Sequence, residues 1–426
     1  MLCRKYLSCP SHQESQLTSP SLAASARRRM LKLALATTAI SMCMRRGVGA
    51  KKKKQQKMDP FDDISGIPAL RPSKSDRAVS LDPKTPRLRH PVGGANTNAN
   101  ASANASAKKI KTILLVLHGV KSKERKGERQ VNNVRARALL QDIALIEVVT
   151  ERAGHCEELV RDASLRGVDA VGVMGGDGSL REGVCGMLAR PASDRRPVFV
   201  FPVGTGNNFA RDLGHRDVKD AFDAIGRGVE RAVDVVKVTH PGGSTYSVNC
   251  VTWGMARDAA ETAEKMRWMG PVRYDVAGFY HIAKGKANLA KITASDDGAG
   301  GGDAAAAAGK GGGEGDGAYD DYMMMFAQNT RCSGRNFKFT PSAELDDGKF
   351  DVVAVRKCGM FKTIGLFDKV KADGAHVEDP DVCYVKATRA TLDAKDASDL
   401  VGIDGEVNVK SPVTLEAIKH AFTTLV

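Results

Sequence analysis

Four short apolar runs dominate the middle of the chain: "TILLVLHG" at 112–119, "IALIEVVT" at 143–150, "VDAVGVMG" at 168–175 and "PVFVFPVG" at 197–204. Each ends at a glycine or a turn and is followed by a stretch of helical length. Strands that are apolar throughout are covered on both faces, and a helix between successive strands makes them run parallel. The stretches between them, "RQVNNVRARALLQD", "HCEELVRDASLRG" and "SLREGVCGMLAR", carry apolar residues at helical spacing. Residues 110–230 are therefore expected to form an open parallel α/β domain, in which ligands bind outside the carboxyl ends of the strands.

The pattern changes near residue 231. Runs such as "AVDVVKV", "TYSVNCVTW", "YMMMFAQN", "FDVVAVR" and "TRATLDA" are joined by turn signals, so 231–426 is expected to be a mainly antiparallel β domain. One long helical segment, roughly 257–290, interrupts it. Residues 294–320 are a Gly/Ala-rich insert with nothing to bury, expected as a surface loop.

Charge excludes one function class. The chain carries a formal net charge of +14, but residues 1–109 hold 21 Lys plus Arg against 6 Asp plus Glu. The remaining 317 residues are close to neutral, so nucleic acid is not the expected partner of the folded part. Residues 1–58, with 13 basic residues and Glu14 as the single acid, have the composition of a plastid or mitochondrial transit peptide. A disordered basic tail is the other reading, leaving the protein cytoplasmic or peripheral at a membrane, where "KKKK" at 51–54 would favour acidic lipid. Residues 59–109 are rich in Pro, Asn and Ala and read as linker. No apolar run reaches the roughly 20 residues of a spanning helix. The nine cysteines are scattered without a Cys-x-x-Cys pair, which argues against a zinc site or a disulfide framework.

Chemistry concentrates where strands end. In "VMGGDGSLREG", Gly175, Gly176 and Gly178 allow a tight turn and close approach of a ligand, and the helix starting near Ser179 offers free N–H groups to an anion. No Walker lysine is present. Asp177 would repel bare phosphate, so it implies a metal ion or a hydroxyl whose proton it accepts. A plain loop is the alternative. A second corner of this kind, Gly204-Thr205-Gly206-Asn207, follows the next strand, and Thr150 closes a third beside Gly154.

The ordered set "GGDGS", "PVGTGNNFARDLG", "PSAELDDGKFDVVAV" at 341–355 and "GIDGEV" at 402–407 resembles the diacylglycerol kinase catalytic-domain family. That resemblance implies a two-domain lipid kinase fold, an α/β nucleotide-binding domain followed by a β-sandwich-like domain. It implies Mg²⁺ and ATP as cofactors, a lipid alcohol at a membrane surface as partner, and a cleft between the domains where ATP and lipid meet. "TWGMARDAAETAEKMRWMGPVRYD" at 252–275 is most similar to the sphingosine and ceramide kinase branch, implying phosphate contacts from Arg267 and Arg273 and a head-group contact from Asp258. Glu182, Gly405 and Glu406 are expected to join the nucleotide site with the two glycine corners. Asp404-Gly405 is by itself a hairpin signal; the resemblance raises Asp404 as a rival catalytic base and Asp347 as a magnesium ligand. The first loop, "HGVKSKERKGER", departs from the family's usual Asn-Pro-x-Ser-Gly, and Ala260 stands where sphingosine kinases carry an acid. An NAD-kinase-like enzyme acting on a soluble metabolite shares "GGDG", and a nucleotide-binding membrane module without activity is a third reading.

Overall fold

The computed structural model describes residues 107–119, 125–296, 319–334 and 337–426. The basic segment 1–58, the linker as far as residue 106, most of the first loop (120–124) and the insert from 297 to 318 lie outside the described residues.

The chain enters through β1 (Thr112–Leu117), α1 (Arg125–Leu140), β2 (Ala144–Val149), α2 (His155–Asp162), β3 (Ala170–Gly175), α3 (Asp177–Leu188), β4 (Val198–Pro202), α4 (Asn208–Asp212) and α5 (Val218–Arg227). The four strands form one parallel sheet in the order β2-β1-β3-β4. Every residue of β3, and of β4 at one edge of the sheet, is buried, as expected for strands covered on both faces, whereas β2 at the other edge is partly exposed. Helix α5 is set by its ends: the Asp217 carboxylate accepts from the N–H groups of Lys219 and Asp220, and left-handed Gly228 stops it.

The second half runs through β5 (Glu230–His240), β6 (Gly243–Ser247), β7 (Cys250–Gly254), α6 (Met255–Lys265), α7 (Arg273–Lys284), β8 (Asn288–Ser295), β9 (Asp320–Gln328), β10 (Phe350–Arg356), α8 (Met360–Ala372), β11 (Val382–Ala387), β12 (Arg389–Ala394), β13 (Leu400–Ile403), β14 (Val407–Lys410) and β15 (Val413–Leu425). Its strands pair antiparallel throughout, in the order β14-β13-β7-β9-β8-β12-β15-β5-β6, with β10 and β11 branching from β9. The two sheets share apolar packing: Leu180, Val184 and Phe209 pack in one cluster with Val233, Val235 and Phe422.

The helical segment expected over 257–290 is two helices. A 3₁₀ turn at Arg267–Val272 separates them, and Gly270 at φ 62 breaks the run. The run "TYSVNCVTW" is likewise divided at Val248 and Asn249, where a buried carboxylate described below captures the backbone. Helix α8 was not foreseen, since its apolar residues alone resemble those of the neighbouring strands. His376 is a buried structural residue, its Nε2 set 3.1 Å from the Phe339 carbonyl.

Asp351 on β10 is 1% exposed, with the Tyr384 hydroxyl and the Lys386 ammonium as its polar neighbours. Burial pushes its pKa up from 3.8 to about 6, against the pull of the Lys386 ammonium. The folded state thus holds this proton more tightly than the unfolded chain, so the stabilisation is full below pH 4 and is lost as pH rises through about 6. Asp351→Asn removes the ionisable group at nearly constant volume. The expected result in thermal denaturation is a stability gain of roughly 2–3 kcal/mol at pH 8 that fades toward pH 4.5. A gain of equal size at both pH values would contradict this account.

Candidate functional site

The two glycine corners are stapled together. The Gly175 carbonyl accepts from the N–H of Val203 at 3.1 Å and of Gly204 at 3.0 Å, joining the tip of β3 to that of β4. A Cβ on Gly204 would stand 2.6 Å from the Gly176 Cα, so the approach requires glycine. The Asp177 carboxylate crosses from one corner to the other: Oδ2 accepts from the Asn208 N–H at 3.0 Å and Oδ1 from the Phe209 N–H at 3.2 Å, at the start of α4. Burial raises the Asp177 pKa, those N–H groups pull it back, and the nearby Asp404 carboxylate raises it again.

The turn after β13 closes a third side. Asp404 and Gly405 both have positive φ, 49° and 76°, and the strands resume at Ile403 opposite Val407, leaving three residues in the turn. The Asp404 side chain is used elsewhere. Its Oδ1 accepts from Ser247 Oγ at 2.8 Å, the Asn249 N–H at 3.0 Å and the Cys250 N–H at 2.8 Å, while Oδ2 accepts from the Val248 N–H at 2.9 Å. One carboxylate therefore organises the bend between β6 and β7. The Glu406 carboxylate lies over Gly178, where a Cβ would come within 2.2 Å of its oxygens.

These elements line a single cavity of about 380 Å³. Its polar end is made by Gly176, Asp177, Gly178, Ser179, Gly204, Thr205, Gly206, Asn208, Asp404, Gly405 and Glu406. Its other end is apolar, with Met255, Ala256, Ala259 and Ala260 from α6, Gly278 from α7, Met324 and Phe326 from β9, and Phe337, Phe339 and Phe367. Phe326 stacks on Phe339 with ring centroids 3.9 Å apart, and Phe367 meets Phe339 edge-on at 6.0 Å. Arg273 stands at the wall, ion-paired to Glu264 at 3.0 Å and donating to the Tyr274 hydroxyl at 2.9 Å, with Nε lacking a partner.

Other expected site residues stand back from this cavity. Gly175 serves through its carbonyl staple, and Asn207 shapes its own loop, donating from Nδ2 to the carbonyls of Pro202 and Gly204. Thr150 Oγ1 accepts from the Gly119 N–H at 3.1 Å, tying β2 to the end of β1. Glu182 caps α2, accepting from the N–H groups of Gly154 and Cys156. Asp258 pairs with Arg257 at 3.0 Å on α6, outside the lining. Asp347, expected as a magnesium ligand, is held by Lys386 Nζ at 2.6 Å and by the Lys349 N–H, also outside the cavity. The side chain of Arg267 lies outside the described residues. Missed from the sequence were Glu264, Asn249, Cys250 and the aromatic wall; helical spacing of Ala256, Ala260 and Glu264 was the available signal for one of them. The Cys250 thiol is pushed up to about 12 by burial beside Asp404, so it stays protonated and unreactive.

The diacylglycerol kinase catalytic domain matches residues 113–238, and the YegS C-terminal NAD kinase beta sandwich-like domain matches 249–426. The chain belongs to the diacylglycerol kinase catalytic-domain family. Within this family it is 25% identical over 288 residues to Sphingosine kinase 1 of Arabidopsis thaliana, a match spanning 59% of each chain. It is 27% identical over 261 residues to a Diacylglycerol kinase of Bacillus subtilis (strain 168), covering 60% of this chain and 77% of that one. The fold is that of a diacylglycerol kinase structure from Bacillus anthracis str. Sterne, at a TM-score of 0.54 and 19% identity over 75% of this chain and 97% of that one. The parallel α/β sheet followed by the antiparallel β-sandwich-like half is the lipid kinase arrangement.

Proposed function

We propose that this protein transfers the γ-phosphoryl group of ATP to the primary hydroxyl of a lipid alcohol. The observation that carries the reading is the two-ended cavity: glycine corners with free backbone donors at one end, aromatic and aliphatic walls at the other. A soluble dinucleotide would leave the apolar end unfilled, whereas a lipid chain buries it and gains roughly 25 cal/mol per Å² removed from water.

In this scheme Gly176, Gly178, Ser179, Thr205 and Gly206 hold the phosphates through backbone N–H groups, Gly204 lets the two corners meet, and Gly405, Glu406 and Arg273 close the site. Magnesium carried by ATP would neutralise the triphosphate charge, and Asp177 and Glu406 are the lining carboxylates that could face it, since among the described residues no cluster of three or more acidic, His or Cys side chains could hold the ion alone. Asp177 accepts the proton as the lipid oxygen bonds to Pγ; the bond from Pγ to the β,γ-bridging oxygen breaks, and ADP leaves. Positioning and charge neutralisation supply most of the rate. The acceptor comes from a membrane surface. Trp268 and Val272 on the turn between α6 and α7, and Met360 and Phe361 at the start of α8, are exposed apolar side chains suited to that contact. Among the described residues no helix is long and apolar enough to cross a membrane.

The test is to incubate the full chain with γ-labelled ATP and either NAD or vesicles containing diacylglycerol, ceramide or a sphingoid base. Label in the organic phase is the expected result. Label appearing in NADP instead would transfer the assignment to a soluble-metabolite kinase.

A further inference from the structure

Asn249 sits at the bend between β6 and β7, lines the cavity and is 2% exposed. Neither its Oδ1 nor its Nδ2 has a hydrogen-bond partner. An unpaired buried amide is destabilising, and such a cost is retained where a ligand repays it. The backbone of Asn249 is fixed by two bonds, its N–H to Asp404 Oδ1 at 3.0 Å and its carbonyl to the Asn329 N–H at 2.9 Å. The side chain is thus held on a rigid mount between the phosphate corners and the apolar chamber, while its terminal torsion is broad enough to present either polar atom.

The acidic groups around it are engaged. Asp177 is bound by two N–H groups, Asp404 by four donors, Glu264 by Arg273, and Glu406 also has a partner. A cationic head group would have to displace one of these contacts. A neutral carboxamide, offering one donor and one acceptor, fits an uncharged head group carrying a hydroxyl beside an ester or amide carbonyl.

We propose that Asn249 is a substrate contact, reading the uncharged polar head of an acylated lipid alcohol and orienting its hydroxyl toward the phosphate corners. This rests on the lipid kinase reading above. Nδ2 donates to the acyl carbonyl, and Oδ1 accepts from a hydroxyl or an amide N–H.

The experiment compares wild type with Asn249→Leu and Asn249→Asp, using γ-labelled ATP and vesicles of neutral phospholipid containing diacylglycerol, ceramide or a sphingoid base. Thermal melting and binding of a fluorescent ATP analogue are measured alongside. Wild type should favour diacylglycerol or ceramide over the sphingoid base. Asn249→Leu should lower kcat/KM for the acylated lipid by roughly 10²-fold or more, because the isosteric side chain cannot pair with the head group. Its melting temperature should hold or rise, since two unpaired buried atoms are removed, and nucleotide binding should be unchanged. Asn249→Asp should shift relative preference toward the sphingoid base. The inference is overturned if Asn249→Leu matches wild type on every lipid, if it loses stability and activity together as a structural residue would, or if wild type prefers the sphingoid base. A wild type that labels no lipid at all overturns the kinase reading itself, before the variants are compared.

Discussion

Asp177→Asn is expected to reduce phosphoryl transfer by about 10³-fold while MgATP binding and folding persist. The side chain accepts two N–H bonds at the start of α4, and an asparagine Oδ1 can keep one of them, so the corner stays formed. What is lost is the proton acceptor. Burial holds the Asp177 pKa above the ordinary carboxylate range, which makes the ionised form a better base and places the acid limb of the rate profile higher than an exposed aspartate would. Activity should therefore rise with pH through that raised pKa, and the residual activity of the variant should lack this limb. For stability the sign is opposite. An acid with a raised folded-state pKa is most stabilising when protonated, so at pH 8 the amide should leave the melting temperature unchanged or higher. Steady-state kinetics, nucleotide titration and melting on one preparation check all three; full turnover by Asp177→Asn would remove it from the chemistry.

The architecture was legible because the apolar runs at 112–119, 168–175 and 197–204 obey the rule for buried parallel strands, and because "GGDG" and "GTGN" place glycine where two strand tips must touch. The packing of Gly176 against Gly204 is that rule made physical. What stayed hidden was long-range. Glu182 lies one turn beyond the glycine corner, and no local pattern reveals that its carboxylate is taken by α2. Asp347 sits in a turn sequence that suits a cation equally well, and only the fold brings Lys386 to it from another strand. The aromatic wall draws on β9, α8 and the segment at 337–339, which are far apart in the chain. Asn249 was passed over because a single amide within an apolar run looks like strand; its significance lies in the two bonds that its side chain does not make.

Asp404→Ala is expected to fail differently from Asp177→Asn, and the contrast separates the two carboxylates. The side chain of Asp404 receives four donors in a buried bend: Ser247 Oγ and the N–H groups of Val248, Asn249 and Cys250. Removing it leaves several of these without an acceptor, at about 1–3 kcal/mol each before relaxation. A total loss of about 3 kcal/mol or more should lower the melting temperature by several degrees. It should also loosen the mount of Asn249 and the seat of Glu406, so activity and stability should fall together. With three bonds already on Oδ1 and one on Oδ2, this carboxylate is poorly placed to collect a proton from the acceptor hydroxyl, which favours a positioning role. Ser247→Ala removes one donor only and should give a partial version of both losses. If Asp404→Ala instead melts like wild type and only catalysis is lost, Asp404 is the base and the clamp account is wrong.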